Sequence, residues 1–310
     1  MTPSTVDIIF SHNNCQDGWV AAFVAKLRYP EAEIVLLNHG NEQDLEQVFS
    51  KSKNKHVLML DYSLRTRELN DRLNSTAASL LILDHHKTAK QILEDTEYAV
   101  FDINRSGAGL AWDYLFGKDS EFYKLSVYNP AGFRPRPWWV NYTEDQDLWK
   151  HELPDSQSIN AFLMIQPRTI EAWKQIEENS FGDLFEYIID IGSGVRSYIE
   201  YYTRSVIPEA RYGTWYFRDA EYRVAVVNIP YVGVSEVGNQ LVQDCDVAVC
   251  WFERADNKIQ FSLRSNRKTS NIDVSVIAKH YGGGGHQNAA GFQLSKHAGR
   301  ELIDFLTEEV

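Results

Sequence analysis

The chain has 310 residues, 44% of them hydrophobic, and a formal net charge of −12; this suggests two domains or one large one with ample core, and the acidity disfavours long duplex nucleic acid, which calls for a basic face, while leaving room for a short anionic ligand held by a local pocket and metal ions. No apolar run approaches the roughly 20 residues of a membrane span, so no membrane association is expected. The opening MTPSTVDIIFSH lacks the basic and long apolar regions of a signal peptide, and three cysteines (Cys15, Cys245 and Cys250) argue for a reducing, cytoplasmic setting rather than a disulfide framework.

Val6–Phe10 (VDIIF) reads as a first strand, running through Ser11–Gly18 (SHNNCQDG) into an apolar stretch of helical spacing, the opening of a βαβ unit. His12 and Asp17 fall in the turn at the strand's C-terminal end, where Gly18 lets the backbone bend tightly; a plain helix N-cap is the other reading of Asp17. Ile34–Leu37 is a second strand and Glu42–Ser52 an exposed helix. His56–Leu60 (HVLML) is a third strand and ends in Asp61; Thr66–Asn74 is helical. Leu80–Lys87 (LLILDHHK) then places Asp84, His85 and His86 directly after an apolar run, as at the end of a buried parallel strand. Strands alternating with helical segments argue for a mainly parallel sheet. Its strand ends lie along one edge, where ligands bind. Carboxylates and imidazoles gathered there repel or stay unsatisfied unless cations sit between them. A surface loop with two chance histidines is the competing reading of DHH alone.

Tyr98–Phe101 is a further strand. Within Asn104–Phe116, Ser106 and Gly107 precede a helix and either offer backbone N–H groups to an anion or form a simple cap. Phe133–Trp139 (FRPRPWW) holds two prolines and does not read as regular interior structure. Glu144, Asp145 and Asp147 follow; an acid cluster is commonly a solvated face, but Trp138, Trp139 and Trp149 around it imply partial burial. Gln157 to about Arg204 is helix-rich and reads as a link between two domains, with Ile191–Gly194 (IGSG) as a break. From Arg211 the pattern turns to strands (TWYFR, YRVAVVNI, DVAVCWFE, KIQFSLRS), with a helix at Val234–Val242 and another capped by Asp273. In Gly282–Phe292 (GGGGHQNAAGF), successive glycines let the backbone approach a ligand and aim N–H groups at an anion. His286 follows them, and Arg264, suited to bidentate phosphate binding, lies in a preceding strand. A flexible linker is the alternative, against which the apolar AAGF speaks.

Taken together, SHNNCQDG, LDYS, DHH, TEDQD, SLRS and GGGGHQNAAGF resemble the DHH/DHHA1 phosphoesterase superfamily, which includes RecJ-type exonucleases, nano-RNases, pAp phosphatases and related pyrophosphatases and exopolyphosphatases. DHH alone is a weak match; GGGGH and AAGF far downstream, in the right order, make it specific. The resemblance implies an α/β chain: a mainly parallel-sheet DHH catalytic domain over residues 1–150, a helical linker over 151–205, and a smaller α/β DHHA1 substrate-binding domain over 206–310.

The same resemblance implies roles. His12 and Asp17 match the first metal-binding motif, Asp61 the acid that bridges two metal ions, and His85 a metal-liganding histidine. Asp84 would orient His85, and His86 would contact metal or the scissile phosphate. The fourth motif needs a carboxylate, with Asp145 the first choice and Asp147 the alternative. Arg264, Gly283, Gly284, Gly285 and His286 would bind substrate, with Ser106 a further candidate. In one departure, the first motif commonly carries two acids separated by one residue; here the earlier falls on Cys15. Cysteine shifts preference toward softer metals, so one site is expected to be weaker, differently occupied or absent.

The expected cofactor is Mn²⁺, as two ions, with Mg²⁺ or Co²⁺ as alternatives. The expected activity is hydrolysis of short oligonucleotides or small nucleotide phosphoesters by a metal-activated water. A polyphosphate or pyrophosphate phosphohydrolase is the enzymatic alternative. A catalytically impaired nucleotide-binding protein, suggested by Cys15, is the alternative of another class. A homodimer is a possible assembly.

Overall fold

In the first unit of the chain each apolar strand sends alternate residues to opposite faces of one sheet. Ile8, Phe10, Val57, Met59, Leu80 and Ile82 enter one core, while Ile9, Leu58, Leu60, Leu81 and Leu83 enter another. Such two-sided burial is what the near-continuous apolar runs require. A computed structural model describes residues 3–13, 15–117, 136–178, 183–266 and 271–308. Asn14 and the segment 133–135 of the proline-rich stretch lie outside the described residues. Two compact units are separated, Met1–Arg196 and Ser197–Val310.

The first unit carries a five-stranded parallel sheet in the order β2-β1-β3-β4-β5, built from β1 (Ile8–His12), β2 (Glu33–Leu37), β3 (His56–Leu60), β4 (Ser79–Asp84) and β5 (Ala99–Phe101). Helices α1 (Gln16–Arg28) and α5 (Gly107–Leu115) pack on one face; α2 (Glu42–Ser52), α3 (Arg67–Thr76) and α4 (Lys87–Leu93) supply buried residues to the other. Because β1, β3 and β4 are neighbours, their C-terminal ends stand roughly 5 Å apart in succession.

The helices expected as a linker do not stand apart. Ile159, Phe162, Leu163, Trp173 and Ile176, from helices Ser156–Met164 and Ile170–Glu178, join Trp112 and Trp139 in the core of the first unit. The expected break at Ile191–Gly194 is also absent: Asp183–Val206 is one continuous helix, and the unit boundary falls within it. Gly192 is needed for packing, since a Cβ there would collide with the Ser158 carbonyl. Pro137 sits at the N-cap of helix Trp138–Asp147, a position where its missing N–H costs nothing, so the two tryptophans after it are helical.

The second unit is a six-stranded mixed sheet in the order β10-β11-β9-β8-β7-β6. Its strands are β6 (Arg211–Phe217), β7 (Ala220–Asn228), β8 (Val247–Glu253), β9 (Lys258–Ser265), β10 (Gly284–His286) and β11 (Ala289–Ser295). The Gly run therefore enters a hairpin rather than a linker. Helices Val274–His280 and Lys296–Thr307 cover one face, and Val234–Leu241 packs on the other. Asp273 caps the first of these helices, accepting from the Ser275 N–H at 3.0 Å. No helix among the described residues is long and apolar enough to cross a membrane.

Candidate metal centre

The strand ends deliver His12 from β1, Asp61 just beyond β3, and Asp84, His85 and His86 at the end of β4. Ser11 ties two of these ends together: its hydroxyl donates to the carbonyls of Gly18 (2.6 Å) and Leu60 (2.9 Å). Asp61 has φ of 50°, a left-handed conformation uncommon for a residue with a Cβ. A Cβ at Gly107 would stand 2.5 Å from the Asp61 Cβ and 2.8 Å from Asp17 Oδ2, so glycine there leaves space for both acids.

His85 is the hub. It is 1% exposed, and its Nε2 lies 3.1 Å from Asp61 Oδ1 and 3.7 Å from both Asp17 Oδ2 and Asp147 Oδ2. His12 Nδ1 lies 3.9 Å from Asp61 Oδ2. Among the described residues of the first unit, three groups have potential ligand atoms all within 4.8 Å of one another: His12, Cys15 and Asp61; Asp17, His85 and Asp147; and Asp61, Asp84 and His86. Asp61 is shared by two of them.

Charge follows this geometry. Burial pushes the Asp17 carboxyl well above the usual carboxylate range, and the Asp147 and Asp61 carboxylates add to it. Burial also opposes ionisation of Asp61, but the His85 hydrogen bond and the neighbouring imidazoles outweigh it and leave its pKa lowered. Burial disfavours the His86 imidazolium; the Asp84 carboxylate overrides it and raises that pKa. Three carboxylate oxygens, Asp61 Oδ2, Asp84 Oδ2 and Asp147 Oδ2, are buried without a hydrogen-bond donor. Buried anionic oxygens left so are costly, and hard divalent cations take oxygen and imidazole ligands of this kind. The residues therefore fit the metal-binding role.

Several expectations change on inspection of the side chains. Asp145, the first choice for the fourth motif, accepts from the Glu152 N–H at 2.9 Å and from the Ser156 hydroxyl, and so is turned into the protein. Asp147 is the member of that acid cluster which meets Asp17 and His85. Glu144 is held by Arg105 and Arg136 at 3.2 and 3.1 Å. Asp84 braces His86, not the His85 ring: its Oδ1 accepts from His86 Nδ1 at 2.7 Å and from the backbone N–H groups of both histidines. Ser106 is a cap, accepting from the Gly109 N–H, and the amino end of α5 is already occupied by the Asp17 carboxylate. Asp17 is not the N-cap of α1; that position belongs to Cys15.

Two residues of this neighbourhood were missed. His39, beyond the end of β2, stacks on Tyr62 with ring centroids 4.2 Å apart and lies 5.3 Å from His12. The strand-end logic that found Asp61 would have found it, since NHGN follows IVLL. Arg168, between two helices, acts electrostatically on both His12 and Cys15; no sequence signal marks it.

In the second unit, Ala289 pairs in register with Arg264 on one side and His286 on the other. Side chains opposite one another in antiparallel strands share a face, so Arg264 and His286 flank a small residue, about 10 Å apart. The Arg264 guanidinium donates to the Ser235 hydroxyl at 3.0 Å.

Comparison with known proteins agrees with this architecture. The DHHA1 domain family matches residues 222–310. The uncharacterized protein R106 of Acanthamoeba polyphaga mimivirus is 27% identical, over 94% of this chain and 68% of its own length. Oligoribonuclease NrnB of Bacillus subtilis is 26% identical, over 93% of this chain and 72% of its own length. Among solved structures, the pGpG-specific phosphodiesterase PggH from Vibrio cholerae matches with a TM-score of 0.50 at 14% identity, covering 97% of each chain. RecJ from Thermus thermophilus in complex with Mn²⁺ matches with a TM-score of 0.52 at 14% identity, covering 97% of this chain and 51% of that one. At these identities the structural matches speak for the fold.

Proposed function

We propose, for a chain that belongs to the DHH/DHHA1 phosphoesterase superfamily, metal-dependent hydrolysis of short oligonucleotides or small nucleotide phosphoesters. The observation that carries this reading is the meeting of three strand ends at Asp61, where buried carboxylates lack hydrogen-bond donors.

His12, Asp17, Asp61, His85 and Asp147 are the residues we assign to holding two divalent ions, with Mn²⁺ the first choice and Mg²⁺ or Co²⁺ the alternatives. Bound there, the ions would acidify a water and neutralise charge growing on the phosphoryl oxygens. The chain's own residues do the rest. Asp17 is fixed by the Gly107 and Ala108 amides, so it reaches the site without spending side-chain freedom. Asp84 accepts from His86 Nδ1, which sets that imidazole's tautomer and turns Nε2 away from the carboxylate. The Asp84 carboxylate favours the protonated form of His86, which we assign to donating a proton to a phosphoryl or leaving oxygen. In the second unit, Arg264, His286 and the Gly283–Gly285 backbone are assigned to a substrate phosphate, by the bidentate geometry of guanidinium and the reach of glycine N–H groups. The local basic row suits a short anionic substrate on an otherwise acidic chain. NrnB and PggH, which by name act on oligoribonucleotides and on pGpG, support that substrate class.

The test is incubation of the chelator-treated protein with a 5′-phosphorylated diribonucleotide, without and then with Mn²⁺, followed by chromatography. Mononucleotide released only with added metal is expected. Phosphate released from polyphosphate, with the dinucleotide left intact, would replace this reading with a phosphoanhydride hydrolase. Binding of the dinucleotide without turnover under Mn²⁺, Mg²⁺ or Co²⁺ would replace it with a nucleotide-binding protein.

A further inference from the structure

Just beyond β1 a thiol stands close to an imidazole and a carboxylate. Cys15 is the N-cap of α1, and its sulfur, a His12 ring nitrogen and an Asp61 oxygen all lie within 4.8 Å of one another. Ligands held at 2.0–2.3 Å by one tetrahedral ion stand roughly 3.3–3.8 Å from one another, so the group needs to contract by little more than about 1 Å. A second feature points to a cation independently of the cysteine. Asp61 is 1% exposed, its Oδ2 faces His12, and that oxygen accepts no hydrogen bond. The other two cysteines lie in the second unit: Cys250 is buried, and Cys245 donates to the Leu241 carbonyl. Among the described residues, Cys15 alone of the three stands among imidazole and carboxylate side chains that could share an ion.

We propose that Cys15 Sγ is a metal ligand, and that the His12–Cys15–Asp61 group is a mixed nitrogen, sulfur and oxygen site selective for a borderline cation such as Zn²⁺, Co²⁺ or Fe²⁺ over Mn²⁺ and Mg²⁺. The proposal rests on the metal-centre reading above and deepens it, by making the two ion positions chemically unequal. Thiolate favours softer ions, whereas Asp17, His85 and Asp147 offer only the nitrogen and oxygen donors that Mn²⁺ also accepts. As the sulfur–metal bond forms, the Cys15 proton passes to solvent, so binding at this position releases a proton.

The experiment is a Co²⁺ titration of the chelator-treated full chain, read by absorption with no substrate present. A near-ultraviolet thiolate-to-cobalt charge-transfer band is expected, present in Cys245→Ser and Cys250→Ser and absent in Cys15→Ser. Cys15→Asp is expected to lose about 10- to 100-fold in Zn²⁺ affinity relative to Mn²⁺, a range that even indirect partners of a metal reach. Cobalt binding without the band, or a band that survives Cys15→Ser, would overturn the proposal, as would failure of Co²⁺ to bind. Should Cys15→Ser not fold, the wild type decides: Zn²⁺ is expected to protect the Cys15 peptide from iodoacetamide, and unchanged labelling overturns the assignment. The two readings fail separately. A band with no hydrolysis of any substrate removes the enzymatic reading and leaves the thiolate site; Mn²⁺-dependent hydrolysis with no band does the reverse.

Discussion

The Gly107 N–H donates to Asp17 Oδ2 at 2.5 Å across 90 residues of sequence, and the Ala108 N–H donates to Oδ1 at 3.0 Å. The carboxylate thus takes up the unsatisfied donors that open a helix, where negative charge is favoured. The same contact aims Asp17 at His85, 3.7 Å away. Gly107→Ala introduces a methyl group against the Asp61 Cβ and Asp17 Oδ2. It is expected to weaken Mn²⁺ binding by about 10- to 100-fold, as loss of an orienting partner does, measured by titration calorimetry. Unchanged affinity would mean that this contact does not position the acid.

Asp145 and Asp147 should separate into a structural and a functional acid. Asp145→Ala leaves the buried Ser156 hydroxyl and the Glu152 N–H without their acceptor, and is expected to cost about 1–3 kcal/mol in urea denaturation while sparing metal binding. Asp147→Asn is expected to do the opposite: stability near that of the wild type, with metal content and turnover reduced. Reversal of the two phenotypes would restore Asp145 as the ligand.

This pair also shows what was legible from the amino-acid sequence. The strand ends were, because a buried parallel strand must be apolar until it stops, and HVLML-D and LLIL-DHH announce where it stops. The order of strands brought His12, Asp61 and Asp84 together as the alternation with helices implied. Which of Glu144, Asp145 and Asp147 turns toward Asp17 and His85 was not legible. Successive helical residues are about 100° apart, so neighbours in an acid cluster face different surroundings, and only packing decides among them. The pairing of Asp17 with the amino end of α5 was hidden for another reason: the local pattern at Ser106 and Gly107 fits both a cap and an anion site, and the anion came from a distant part of the chain. Gly192 misled because a glycine inside a helix reads as a break until its close neighbour, Ser158, is seen.

Arg264 shares a row with Ala289 and His286 in the second unit. Arg264→Ala is expected to raise KM for the diribonucleotide by about ten- to hundredfold with kcat little changed, the signature of lost substrate binding; the magnitude follows from about 1.5–3 kcal/mol for a charge-assisted hydrogen bond. Steady-state kinetics checks it, and an unchanged KM would remove Arg264 from the substrate site.

Burial pushes the Cys245 thiol up to about 11 and the Cys250 thiol up to about 12. Thiolate is the reactive form, so at pH 8 Cys245 is expected to react with iodoacetamide on the order of a hundredfold, and Cys250 on the order of a thousandfold, more slowly than in the unfolded chain. Below its pKa a thiol's ionised fraction grows about tenfold per pH unit, so labelling of Cys245 should rise about tenfold from pH 8 to pH 9. Peptide mass spectrometry reads each site, and a rate already level over that interval would contradict the raised value.

Asp61 is the residue on which the proposed metal centre turns, shared between two groups that could hold an ion and held in an uncommon backbone conformation. The most direct measurement is therefore metal content and diribonucleotide turnover of Asp61→Asn beside the wild type, each stripped with chelator and reloaded with Mn²⁺, with circular dichroism to confirm folding. The account predicts that the wild type loses activity on stripping and regains it with Mn²⁺, whereas folded Asp61→Asn binds less metal and loses more than the roughly 100-fold that removal of an indirect partner can cost. A folded Asp61→Asn that keeps both its metal and its turnover would contradict it.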